Sequence, residues 1–267
     1  MPLTPLLAAV LLLVSSAVPA LAQDRPFIFS ITTPTDVTRN TFRLDYDAGV
    51  GERAFQSDTA NQPEQRIGVQ ASIGRLTFVG QFGLSTTNDG SAYQSSQQGE
   101  VFVSLLDPSA HSGVAFAAGG GVLHEADGVD VALSRIVAGR EAESWRLHGN
   151  VLLEMPMHAP GRDAVDVITT VGWAAKLTSA LALGVEGVGE DLEGFWDPTE
   201  AEGGARMLVG PAVHVAPRGA RWQFNAVGGP AFHPDNTGRS SAALRDLPPA
   251  TQRVGYAVKV GLTYRLD

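Results

Sequence analysis

The chain contains no cysteine among its 267 residues. That excludes disulfides and thiolate metal sites, so an exported chain of this kind must hold its fold without covalent staples. Aromatics are scarce at 7%, and only 18% of residues are charged. Basic residues are the minority charge, 19 Lys and Arg against 28 Asp and Glu, for a formal net charge of -9. Nucleic-acid partners select a basic surface stripe, and this acidic balance argues against them. After Gln23 no apolar run approaches the roughly 20 residues of a membrane-spanning helix. The sequence shows no convincing amphipathic helix, no G-x-S-x-G elbow and no cofactor fingerprint, so neither a catalytic residue nor a cofactor is expected.

What is present begins with MPLTPLLAAVLLLVSSAVPALAQ. An apolar run from Leu6 to Val14 is followed by Ser15, Ser16 and Pro19 and then by Ala20-Leu21-Ala22, an A-x-A cleavage site. Residues 1–22 therefore read as a secretory signal peptide, cut near Ala22, although the leading segment lacks Lys and Arg. A retained anchor is the rival reading, and its apolar run is too short to span a bilayer.

Beyond residue 40 apolar and polar residues alternate with period two, which sends successive side chains to opposite faces of a strand. In RVGYAVKVGLTYRLD, Val254, Tyr256, Val258, Val260, Leu262, Tyr264 and Leu266 share one face, and Arg253, Gly255, Ala257, Lys259, Gly261, Thr263 and Arg265 share the other. The same phase predicts strands over 41–50, 65–74, 75–86, 98–106, 113–122, 129–138, 144–155, 165–176, 181–190, 205–215, 221–231 and 253–266. About twelve strands of this length suit a closed antiparallel transmembrane β-barrel over residues 41–267, because each apolar stripe matches a tilted spanning strand. Residues 23–40 precede it, and both a periplasmic lead-in and a lumen segment fit their composition.

The connections sort by length. Those at 51–64, 87–97, 123–128, 156–164, 191–204 and 232–252 alternate with the Gly74-Arg75 junction and with 107–112, 139–143, 177–180 and 216–220. Every connection above eight residues falls on one side. That is the pattern of short periplasmic turns and long external loops, and a soluble β-sandwich, the dyadic alternative, gives no reason for it. Phe42, Trp145, Trp173, Trp222 and Tyr264 all land near the short-turn boundary, where amphipathic rings favour a membrane interface.

With this signal, dyad repeat, loop asymmetry and closing strand VGYAVKVGLTYRL, the chain resembles the outer-membrane β-barrel superfamily of Gram-negative bacteria. The resemblance implies the cell outer membrane as location, outer-membrane lipid and lipopolysaccharide as surroundings and the barrel-assembly machinery as a partner. Barrels of that superfamily usually end on an aromatic residue, whereas Asp267 ends this chain.

In a barrel the other phase points inward. The polar candidates there are Arg43, Asp45, Arg146, His148, Glu154, Lys176, Glu186, Arg206, His214, Arg221, Lys259 and Arg265, a set with basic residues in excess. Small inward positions, Ala115, Ala117, Gly119, Gly121, Gly172, Ala174, Gly255, Ala257 and Gly261, leave room beside them. About twelve strands lie between a filled interior and a water channel. The expected function is a narrow passive channel or transporter-like barrel for small solutes. A non-conducting structural or ligand-binding barrel is the alternative, and a lipid-modifying enzyme a further one, although no strand pair aligns a serine with a histidine.

One stretch stands apart. GEDLEGFWDPTEAEGG, residues 189–204, gathers Glu190, Asp191, Glu193 and Asp197 around Phe195-Trp196. It is a weak metal candidate, because its order departs from a calcium loop. A solvated external loop explains it more simply, one in which acids near lipopolysaccharide meet divalent cations.

Overall fold

The computed structural model describes residues 25–32, 40–51, 63–86, 92–126, 128–158, 165–196, 205–232 and 254–266. They form strands β1 (Thr41–Gly51), β2 (Glu64–Ile73), β3 (Leu76–Thr86), β4 (Tyr93–Leu106), β5 (Val114–His124) and β6 (Asp130–Glu141). The second half supplies β7 (Trp145–Met157), β8 (Asp166–Lys176), β9 (Leu181–Glu190), β10 (Arg206–Val215), β11 (Trp222–Phe232) and β12 (Val254–Arg265). Each strand pairs antiparallel with its sequence neighbours, and β1 pairs with β12 from Arg43↔Arg265 to Gly51↔Ala257, closing the barrel. Closure satisfies every strand edge, which hydrocarbon demands because it offers no hydrogen-bond partner to an open one.

The burial of this molecule is inverted relative to a water-soluble domain. Along β12, Val254, Tyr256, Val258, Val260, Leu262 and Tyr264 are exposed, while Ala257, Lys259, Thr263 and Arg265 are buried. Apolar side chains thus face out and polar ones in, an arrangement stable only where the surroundings are lipid. The chain is a closed antiparallel outer-membrane-type β-barrel. Of the rings expected at the short-turn boundary, Phe42, Trp173, Trp222 and Tyr264 are outward and exposed. Trp222 lies directly opposite Tyr264 in the β11–β12 register. Trp145 is half-buried, with the Arg140 guanidinium 5.5 Å from its ring centre.

Strand boundaries fall within three residues of the sequence reading except at β4, which begins at Tyr93 rather than at residue 98. The stretch Tyr93–Gln97 is polar on both faces and carries no dyad signal. It becomes strand because β3 offers it a partner, from Thr86↔Tyr93 to Phe82↔Gln97. The tight β2–β3 junction turns on Gly74, whose φ of 59° is a left-handed value that glycine adopts at little cost.

Inside the acidic stretch, β9 continues through Glu190, and Leu192–Phe195 then form a short 3-10 turn. Trp196 is exposed.

Candidate functional site

The lumen is occupied. Residues 25–32 have no ladder pairing, yet they are almost wholly buried, and their polar groups meet inward side chains from around the wall. The Arg25 N–H donates to Gln223 Oε1 at 3.0 Å, and Asn225 Nδ2 donates to the Arg25 carbonyl at 2.5 Å. The Ile28 and Phe29 N–H groups both donate to the Glu186 carboxylate, at 3.1 and 2.5 Å. Asn150 brackets Ile31, accepting from its N–H at 2.7 Å and donating to its carbonyl at 3.1 Å. Gln70 Nε2 donates to the Thr32 carbonyl at 3.1 Å, and the Ser30 and Thr170 hydroxyls share a hydrogen bond of 2.9 Å. Buried backbone groups must find partners, and amide and carboxylate side chains substitute here for a neighbouring strand.

Three side chains anchor the segment. Phe27 packs with Ala174 and Ala182 and lies 5.8 Å from the His148 ring, between centroids. A Cβ on Gly172 would come within 2.4 Å of the Phe27 ring, so the expected small position at 172 is the seat of that ring. Phe29 packs against the cluster that contains Leu123, Leu133, Leu152 and Ile168. Ile31 enters a second cluster with Val79, Phe102, Ala117 and Val137. Burying each such side chain contributes roughly 1.5–3 kcal/mol.

The segment is also held by charge. Arg25 donates to both Asp47 oxygens, at 2.7 and 2.8 Å, and lies 3.7 Å from Asp45. Gly261 leaves space for this pair, since a Cβ there would stand 2.7 Å from Asp47 Oδ1. Such a bidentate pair is geometrically specific as well as strong.

Most of the inward polar residues expected from sequence line this lumen or its rims. Arg43 reaches Asp45 at 3.1 Å, Gln70 at 2.7 Å and Thr32 at 3.3 Å. Lys259 pairs with Glu64, and its ammonium lies 5.6 Å from the Phe29 ring centre. Glu186 holds the segment, His214 Nδ1 shares a 2.5 Å hydrogen bond with Asn225, and Arg206 donates to Glu190 at 2.6 Å. Glu154 is buried on β7, opposite Asp166.

Others sit at the short-turn rim. Lys176, the last residue of β8, pairs with Glu141 at 2.5 Å. Arg146 and His148 lie 3.6 and 3.9 Å from the same carboxylate. Arg265 donates to the Ala220 carbonyl at 2.6 Å. Arg221 departs from the expectation: it precedes β11 and is exposed in the turn, because the strand begins one residue later.

The sequence reading left out further inward charges, some of them partners of these cations. Asp47, Glu64, Glu100, Arg66 and Arg135 all keep the inward phase. Arg135 meets Glu100 through two hydrogen bonds of 2.9 Å. Among described residues the buried charged side chains are Arg25, Arg43, Arg135, Arg146, Arg206, Lys259 and Arg265 against Asp47, Glu100, Glu154, Asp166, Glu186 and Glu190. Seven cations against six carboxylates leave little of the expected basic excess. The dyad signal for Asp47 and Glu100 was available, two residues on from Asp45 and within the predicted strand 98–106, whereas Glu64 falls in the connection predicted over 51–64.

Beside the segment a polar cavity remains against β1–β4, lined by Arg43, Asp45, Arg66, Gln70, Gln81 and Gln98 among others. Among described residues no group of three or more His, Asp or Glu is arranged to hold a metal ion. Glu190 is drawn inward to Arg206, and the Asp191 carboxylate accepts the Val167 N–H at 3.0 Å; Asp197 lies outside the described residues. Burial raises the Asp191 carboxyl to about 7, with Glu190, Asp166 and Glu193 adding to the rise and the Val167 bond opposing it. His124 meets Asp130 at 2.8 Å, His214 meets Asn225 and His111 meets the Asp107 carbonyl at 2.8 Å, and none of these three contacts is the serine hydroxyl of a nucleophilic pair.

No family model matches the chain, and no curated protein sequence matches it. Solved structures do. The chain is similar to a structure described as the KdgM porin, at 6% identity and a TM-score of 0.56, over 84% of this chain and 99% of that one. A structure of the NanC porin aligns at 10% identity and a TM-score of 0.49, over 84% of this chain and all of the other. At such identity the likeness is one of fold, that of an outer-membrane β-barrel.

Proposed function

We propose that the chain is a narrow passive channel of the outer membrane for small polar solutes, with residues 25–32 forming its constriction. The observation that carries this reading is the polar cavity left between Ile28–Ile31 and the β1–β4 wall. A barrel that only had to hold itself together would gain more from filling that space with apolar side chains, since buried charge pairs stabilise weakly. The near balance of buried charge supports weak discrimination between small anions and cations. The likeness to a porin fold is compatible with this reading and does not name the solute.

Planar-bilayer recording of the purified barrel tests it. The expected result is small discrete current steps with little ion preference. Silence from protein whose heat-modifiable gel mobility proves it folded overturns the channel. Weight then moves to a non-conducting ligand-binding barrel, a reading favoured by the number of wall groups already engaged by the segment.

A further inference from the structure

We infer that residues 25–32 are a displaceable plug: a short bent peptide bound in cis, which withdraws toward the short-turn end and leaves an emptied, hydrated lumen. The first support is that the segment belongs to no ladder. The barrel closes through β1 and β12, and the bonds given above for the segment run to side chains of the wall. Its departure therefore breaks no inter-strand pairing.

The second support is topological. The segment begins beside Gln223 and Asn225, near the start of β11, and ends at Thr32 beside Gln70 and Arg43, near the start of β1. The chain resumes at Asn40 and enters β1 at Thr41. Both ends thus lie toward the same mouth, and the segment is a bent loop inserted from one side, free to retreat without threading through the barrel.

The third support is the chemistry of the vacated wall. Asp47, Glu186, Asn150, Thr170, Gln223 and Asn225 are groups that water can satisfy as well as a peptide does, so the open state leaves few groups stranded. What favours closure is the bidentate Arg25–Asp47 pair together with the seating of Phe27, Phe29 and Ile31 in their apolar clusters. A balance between hydratable polar contacts and one charge pair with three apolar anchors is what a two-state element requires.

Two measurements on the full chain test this, helped by the lack of native cysteine. In the first, Ser30→Cys alone is treated with a membrane-impermeant maleimide in reconstituted, folded barrel. Ser30 is 2% exposed, so labelling reports departure of the segment. The expected result is slow but complete labelling, at least tenfold faster when Phe27→Ala removes one anchor. Protection of Ser30→Cys in both backgrounds overturns the proposal.

In the second, Ser30→Cys and Thr170→Cys are combined, since the two hydroxyls already lie 2.9 Å apart. Oxidation should reduce bilayer current several-fold, and reductant should restore it, with neither single variant responding. Equal currents from cross-linked and reduced barrels overturn gating by this segment. The current readout rests on the channel reading, whereas the labelling readout does not. Labelling without current in any form would sink the channel and leave the plug, and current without labelling would do the reverse.

Discussion

Asn150 holds Ile31 as a neighbouring strand would, with one amide accepting the Ile31 N–H at 2.7 Å and donating to its carbonyl at 3.1 Å. Replacing Asn150 by Leu keeps the branched outline of the side chain and strands both backbone groups. The loss of two hydrogen bonds should weaken the closed state by about 1–3 kcal/mol. Maleimide labelling of Ser30→Cys should then accelerate roughly tenfold or more, by the same arithmetic. An unchanged rate would show that the amide contributes nothing to holding the segment.

The Arg135–Glu100 pair supplies a second test. Both side chains are buried and joined through two hydrogen bonds of 2.9 Å, and Gln98 Nε2 adds a third donor to Glu100 at 2.6 Å. Arg135→Ala leaves a carboxylate without its cation and should cost about 3–5 kcal/mol. Arg135→Met with Glu100→Gln removes both charges at similar volume and should recover most of that loss. Unfolding of refolded barrel in urea, followed by tryptophan fluorescence, measures the difference. A double variant as unstable as Arg135→Ala would overturn the argument.

The wall was legible because a β-barrel writes its two faces into a period of two, and a strand such as β12 alternates without a break. The lumen was less legible. Arg43 and Lys259 declare that a cation points inward, but their cross-strand partners Gln70 and Glu64 are fixed by strand register, which periodicity does not supply. Residues 25–32 alternate only briefly, at Phe27, Phe29 and Ile31, and belong to no ladder. Their place depends on Glu186, Asn150 and Gln223, which lie between 119 and 198 residues away in sequence. One proline and an F-I-F run do not encode such contacts.

Phase can be tested at adjacent positions on β6. Arg135 points inward to Glu100, while Ile136 is 47% exposed on the outer face, opposite Val151. Ile136→Arg should destabilise the membrane-inserted barrel by about 2–4 kcal/mol if the site lies near the bilayer midplane. Refolding into lipid vesicles, read by gel mobility, checks this. Insertion as stable as that of the parent chain would contradict a lipid-facing position.

Asp191 connects the wall to the acidic stretch and sets a pH dependence. It occupies the left-handed region, with φ 45°, and its carboxylate caps the Val167 N–H. Burial, followed by the charges of Glu190, Asp166 and Glu193, raises its carboxyl from 3.8 to about 7. The folded state therefore binds a proton more tightly than the unfolded chain, so this group's contribution is largest below pH about 4 and is lost progressively as pH rises to about 7. Asn tolerates the same backbone conformation and carries no charge. Asp191→Asn should accordingly be more stable than the parent chain at pH 8, and the gap between the two should close as pH falls toward 4. Thermal unfolding of both proteins across that range provides the measurement, and a gap independent of pH would show that Asp191 titrates as an ordinary exposed carboxylate.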